Sequence, residues 1–350
     1  MPPPPLASVT AIAPCRIDCG GTLDIDPLAL GLNPLSPATF NIALALPTEV
    51  RIQPNPGGGV RVESAGFEAA VRTQPADYTG PLGFFFLAVD YFGLDDLIIA
   101  IDSASPPRAA LGGSSAALVG AVAALGRLAR RRLARHEVVR LAHSFESATF
   151  MIPCGRQDHL AAAYGGVNLW TWRPGYKRGH ARRQLLRGGA YPALEDRLVV
   201  AYPGQTHASV EVNSTWIEGF LTGRHASTWR SIVEATQKLA QAVEERRWAE
   251  AAGWLAEETR LRLEMTPEAL TETGSRLVEA AHEMGAGARF TGAGGGGCLW
   301  AMGTREAAGR VKEAWTDILQ GIPQARLLPS RIDRRGLVVV ARQKRGRAKD

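Results

Sequence analysis

The chain has 350 residues, 45% of them hydrophobic and 21% charged, with a formal net charge of +6 and four cysteines. This composition suits a globular protein with apolar side chains enough for one large or two ordinary cores. It excludes a disulfide framework, and apolar runs such as GFFFLAV (83–89) are too short to cross a bilayer.

The leader MPPPPLASVTAIAP has no basic n-region and no sufficient apolar segment, so no secretory signal is expected and a reduced cytoplasm is the expected compartment. Its first few prolines are expected to enter neither helix nor sheet and to be disordered. The arginines are dispersed among acids. The exceptions are RLARRRLAR (127–135), expected on a helix, and the RQKRGRAKD tail. Both read as solvated surface, so neither a nucleic-acid nor a membrane partner is expected. Cys15 and Cys19 lie four apart with no companion ligand cluster, so no zinc site is expected.

SVTAIAPCRIDC alternates as one or two strands and runs into the loop Gly20-Gly21-Thr22-Leu23-Asp24. TFNIALAL (39–46), EVRIQP (49–54), GVRVES (59–64) and FEAAVR (67–72) read as short antiparallel strands, with PNPGGG as a hairpin turn. PLGFFFLAVDYFG (81–93) has a helical pattern, LIIAID (97–102) is a buried strand, and helices follow over about 114–133 and 136–148. IPCGRQDHLAAAYGGVNLWTW (152–172) reads as loop, short helix and strand; 173–190 reads as an exposed connector. RLVVAYPG (197–204) is a strand, and from Ser209 to Met284 the chain is mainly amphipathic helix with breaks near Gly223 and Thr266-Pro267. ARFTGAGGGGCLWAM (288–302) alternates around a glycine cluster, and a helix (304–320) and a strand (336–342) close an α+β layout.

The chemistry begins at SPPRAALGGSSAALVGAVAAL (105–125), where a strand, a glycine–serine loop and a helix follow one another. Such a loop leaves unpaired N–H groups at a helix N-terminus, where the dipole favours an anion. On its own it is equally readable as a turn with a helix cap, and it lacks the lysine of a P-loop. Two further features share its chemistry. Glu146 and Asp158 form a carboxylate pair, and Gly292–Gly297 places glycines where a strand would tolerate them only if another group packs on the backbone. Phosphoryl transfer needs backbone donors for phosphates, a carboxylate and a hydroxyl for Mg²⁺, a carboxylate facing the acceptor, and a nearby cation, for which Arg16 is available.

These residues carry a resemblance. APCRIDCGGTLD, PPRAALGGSSAA and FTGAGGGGC are similar, in that order, to the three motifs of the GHMP kinases, the superfamily of galacto-, homoserine, mevalonate and phosphomevalonate kinases. The likeness covers about residues 10–345. It implies a two-domain fold: a ribosomal protein S5 domain 2-like unit (8–190) with a ferredoxin-like unit (191–345), and the site between them. It also implies ATP and Mg²⁺ as cofactors. Pro107, Leu111, Gly112, Gly113, Ser114, Ser115 and Ala116 would hold the nucleotide; Ser114 or Ser115, with Glu146, would hold the metal. Asp158 would be the catalytic carboxylate and Arg16 its neighbour, stabilising charge on the moving phosphoryl group. Asp24 would bond acceptor hydroxyls, and Gly294, Gly295 and Gly296 would close on the substrate.

The sequence departs from the family twice. The loop reads A-L-G-G-S-S, so the usual first glycine is Ala110 or Leu111, and Arg16 and Asp24 are one residue closer than in galactokinases and heptose kinases. The pattern G-x-Q-D-x-x-A-A-x-x-G-G most resembles heptose-7-phosphate kinases and galactokinases, which implies a sugar or sugar-phosphate acceptor. A mevalonate- or phosphomevalonate-type kinase and a non-catalytic sugar sensor are the alternatives, as a monomer or homodimer.

Overall fold

The computed structural model describes residues 6–66, 68–72, 78–150, 154–206 and 210–343. The expectations placed on the proline leader and on the end of the basic tail fall outside these residues. Strand β1 (Leu6–Cys19) leads through a turn into α1 (Asp26–Gly31) and then β2 (Ala38–Pro54), antiparallel to β1. The two strands expected over 39–54 are one, and Pro47 lies opposite Pro14. Neither proline has an N–H to give the ladder, and the register shifts between Pro14 and Cys15. Beyond that shift the N–H of Arg16 is given to Leu111 O at 2.9 Å, outside the sheet.

β3 (Val60–Ser64), β4 (Ala70–Arg72), α2 (Gly83–Tyr91) and β5 (Leu97–Ser103) follow. The PNPGGG turn exists, with the Asn55 side chain bonding Gly57 N and the Gly58 and Gly59 carbonyls. It does not close a hairpin. β5 inserts between β2 and β3, antiparallel to the first and parallel to the second. The apolar run LIIAI suits a position with partners on both edges better than GVRVES does.

Next come α3 (Gly113–Leu128), α4 (Arg135–Phe150), α5 (Gln157–Tyr164), β6 (Val167–Trp172) and β7 (His180–Gln184). α3 ends before the arginine run, where Arg130 takes φ +60°, so Arg130–Arg132 sit in a turn and not on a helix. The expected connector over 173–190 contains β7, antiparallel to β6; Trp170 and Trp172 give their partners Arg182 and His180 a surface to lie along. α3 crosses β1 and β2 closely at Gly120, where an added Cβ would sit 3.0 Å from Val50.

The second sheet is antiparallel, in the order β11 (Arg326–Leu328), β8 (Leu198–Tyr202), β10 (Leu299–Met302), β9 (Gly287–Phe290). It is covered by α9 (Trp248–Met265), α10 (Glu272–Glu283) and α11 (Arg305–Leu319), with a short α6 (Tyr191–Glu195) before it; α7 (Val210–Leu221) packs on α1, and α8 (Ala226–Glu244) on α9 and β2. The final strand, β12 (Val338–Gln343), returns to the first sheet beside β1. Phe40 of β2 stacks on Trp300 of β10 with ring centroids 6.3 Å apart, and Trp300 Nε1 donates to Asp18 O at 3.2 Å. The far half of β1 is thus built into both units.

Candidate active site

The loop before α3 is held from below. Leu111 is buried and its carbonyl takes the Arg16 N–H, while Ala109 O accepts from Cys298 N at 2.9 Å. Ala110 adopts φ +57° and Gly112 φ +71°. A non-glycine residue in that region costs about 1–2 kcal/mol. The backbone at Ala110 therefore has a conformation that glycine adopts freely. No side chain caps α3, which leaves its first-turn N–H groups and its dipole facing the loop. Ser114 is exposed and Ser115 buried; Pro107 is exposed, 3.1 Å from a Cβ built on Gly66.

Asp158 sits in the first turn of α5 and reaches this loop: a Cβ at Gly112 would lie 3.3 Å from its carboxyl carbon. Arg16, buried on β1, donates Nε to Asp158 Oδ1 at 2.8 Å and Nη2 to Oδ2 at 3.0 Å, and Nη1 to Ala110 O. Burial works against the guanidinium charge, but Asp158 and Asp18 outweigh it and push the Arg16 pKa up. Asp24 lies behind Asp158. It is buried, accepts from Gln157 N at 2.8 Å, and is packed against Gly155, where any Cβ would collide with its carboxyl. Burial, reinforced by the charge of Asp158, raises Asp24 to about 6.

Glu146 of α4 points at α3 and α5. Its Oε1 accepts from Ser115 Oγ at 3.3 Å, and its Oε2 lies 3.1 Å from His159 Nε2. The second contact has ion-pair distance but lacks hydrogen-bond alignment. Burial alone would raise the Glu146 pKa; the nearby imidazole outweighs it and the group is lowered. A buried hydroxyl beside an ionised carboxylate is a hard oxygen pair, fit for Mg²⁺. Ser114 does not share it.

The glycine loop after β9 divides its contacts. Gly292 and Gly297 face the first loop: a Cβ at Gly297 would be 2.8 Å from Ala110 Cβ, and one at Gly292 3.8 Å from Arg16 Nη2. Gly294 and Gly295 pack on Ala269 instead, with Gly295 N donating to Ala269 O at 2.8 Å. Gly296 has φ +107°.

Sequence reasoning missed the charges that join these parts. Asp18 Oδ1 accepts from Gly292 N at 3.0 Å and lies 3.5 Å from Arg16 Nη1; Oδ2 pairs with Arg289 at 3.3 Å. Arg289 Nε donates to Glu258 at 2.6 Å, and Glu258 accepts from Arg262 Nε at 3.0 Å. Arg262 donates on to Gly21 O and Thr22 Oγ1. The side chains of Asp18, Glu258, Arg262 and Arg289 are wholly buried. Charged residues inside the apolar strands RIDC and ARFTG mark the place in the sequence but not the pairing.

Residues 83–166 match the model of the GHMP kinases N terminal domain, and residues 239–320 that of the GHMP kinases C terminal domain. A mevalonate kinase of Pyrococcus horikoshii is 27% identical over 329 residues, covering 84% of this chain and 89% of that protein. Among solved structures, a Lactococcus lactis galactokinase complexed with galactose matches with TM-score 0.72 and 15% identity, covering 95% of each chain. A D-glycero-D-manno-heptose 1-phosphate kinase from Bacteroides thetaiotaomicron matches with TM-score 0.71 and 18% identity, covering 95% of this chain and 98% of that one.

Proposed function

Because the chain belongs to the GHMP kinases and is a two-domain phosphotransferase of that family, we propose that it moves the γ-phosphoryl group of ATP onto a hydroxyl of a sugar or sugar phosphate. The observation that carries the acceptor class is the pair Asp24 and Asp158. Both are carboxylates at the start of α5, where Asp24 accepts from Gln157 N and feels the charge of Asp158, and Arg156, next to them in the chain, is already engaged by Asp26 at 3.0 Å. Carboxylate oxygens accept from the hydroxyls of a polyol, whereas a carboxylate-bearing acceptor would meet like charge there.

In this reading the N-terminus of α3 and the loop 107–116 hold the polyphosphate. Asp158, fixed by the two-pronged grip of Arg16, orients the acceptor hydroxyl and takes its proton as the acceptor oxygen bonds to the γ-phosphorus and the bond from that phosphorus to the bridging oxygen breaks, releasing ADP. Arg16 also stabilises the charge spread over the transferring group. Ser115 and Glu146 would hold Mg²⁺, which when bound neutralises phosphate charge. Gly292 and Gly297 let the second glycine loop close on the first.

The second reading is a mevalonate-type kinase, favoured by the 27% identity to the Pyrococcus protein. A panel of aldoses, aldose phosphates and mevalonate, followed by ADP release and by product, decides between them. Turnover of a sugar or sugar phosphate with mevalonate inert supports the first reading; turnover of mevalonate alone overturns it.

A further inference from the structure

Asp18 is a wholly buried carboxylate with a part in both units and no part in the mechanism above. Its Oδ1 is shared between the N–H of Gly292, where the second glycine loop begins, and the Nη1 edge of Arg16. Its Oδ2 meets Arg289 on β9, the strand that delivers that loop. Gly292 needs φ +62°, so the loop leaves β9 through a sharp turn whose first N–H has this carboxyl as its acceptor. The space around Asp18 is tight, since any Cβ on Gly21 would strike Oδ2. The surrounding charges balance: Arg16, Arg289 and Arg262 against Asp158, Asp18 and Glu258. Removing Asp18 alone would strand a buried arginine charge.

We propose that Asp18 is a positioning residue that fixes the Gly292–Gly297 loop against the Arg16–Asp158 pair, so that one carboxyl group sets the distance between the phosphate-facing loop and the acceptor-facing carboxylate. The inference rests on the reading of Arg16 and Asp158 as the transfer pair; the loop's placement can be tested without it.

The test compares three full-length proteins: wild type, Asp18→Leu/Arg289→Met and Arg289→Lys. The double variant removes one charge of each sign together, a replacement that buried pairs tolerate. The lysine keeps the charge beside Asp18. Amide hydrogen exchange over 291–298, with and without MgATP, reads the loop directly and needs no acceptor. In the double variant, exchange in this segment rises at least ~10-fold while β1 and β10 keep their protection. With the acceptor that the wild type phosphorylates, kcat falls ~100-fold and the acceptor KM stays within about threefold. Arg289→Lys leaves loop exchange and kcat close to wild type.

Unchanged loop exchange and kcat in the double variant would overturn the proposal. So would an equal loss in Arg289→Lys, or a rise in exchange spread evenly over the whole chain. If the double variant does not fold, Asp18→Asn serves. It keeps an oxygen for Gly292 but removes the charge that faces both Arg16 and Arg289, so raised exchange over 291–298 with ~10-fold loss of kcat is expected, and unchanged exchange with full kcat counts against the idea. Asp158→Asn, run alongside, separates the two readings: full turnover there would remove the transfer pair, while loop exchange still decides what Asp18 holds.

Discussion

Arg16 grips both oxygens of Asp158, Nε to Oδ1 at 2.8 Å and Nη2 to Oδ2 at 3.0 Å, while its own main-chain N–H is bonded to Leu111 O in the glycine–serine loop. A planar fork of this kind fixes the orientation of the carboxylate as well as its charge. Asp158→Asn is expected to lower kcat by about 10²–10⁴-fold, the usual contribution of a positioned acid or base, with ATP affinity within a few-fold of wild type. Arg16→Lys loses the fork but keeps a positive charge, and a smaller loss of kcat is expected. Steady-state kinetics together with calorimetric titration of ATP checks both.

Ser115, not its exposed neighbour, faces Glu146. Ser115→Ala and Glu146→Gln are each expected to raise the Mg²⁺ concentration giving half-maximal rate by at least ~10-fold, whereas Ser114→Ala shifts it little. Excess chelator should abolish turnover of the wild type and weaken ATP binding. A Mg²⁺ titration that found Ser114→Ala to be the damaging change would reverse the assignment.

Asp24 is held at about 6 by burial first and by the charge of Asp158 second. The folded protein therefore carries a proton on Asp24 between about pH 4 and 6 that the unfolded chain has lost, and stability falls as pH rises through that window. Above it the ionised group costs on the order of 3 kcal/mol. Asp24→Asn is expected to raise the melting temperature at pH 7.5 but not at pH 4, while acceptor KM rises at least ~10-fold through the lost bond to a charged group. Melting curves at the two pH values and the acceptor KM test both halves.

Glu258 behaves in the opposite sense. Burial would raise it, but Arg289 and Arg262 hold it at about 2. Its stabilisation is complete above the ordinary glutamate range and is lost as pH falls toward about 2. Glu258→Gln leaves two buried guanidinium groups short of charge, and a loss of about 3–5 kcal/mol is expected at pH 7, shrinking in acid. Urea unfolding at pH 7 and pH 3 measures it.

The glycine–serine loop, its helix and the two carboxylates were legible in the sequence because each is a local pattern: glycines before an alanine-rich helix, or an acid beside a glycine. The insertion of β5 between β2 and β3 was not, since a turn at PNPGGG reads alike whether or not the strands it joins are neighbours. The return of the chain's last strand to β1 is likewise a pairing across the whole length, which no local pattern records. Gly294–Gly296 are expected to close on the substrate, and the glycines that meet the first loop are their neighbours Gly292 and Gly297. Composition shows that a backbone must come close there but not which residue turns inward. The buried ion pairs were invisible for a related reason. Asp18, Glu258, Arg262 and Arg289 come together from β1, α9 and β9, and each alone reads as an ordinary charged side chain.

Arg262 of α9 donates to Gly21 O and to Thr22 Oγ1, in the turn that carries Asp24. The turn that carries Asp24 is thereby tethered to a helix some 240 residues downstream. With Asp24 in its proposed role, drift in what this enzyme accepts can originate along α9, and a laboratory search for new acceptors that randomises only the residues around Asp24 and Asp158 would overlook one of the levers.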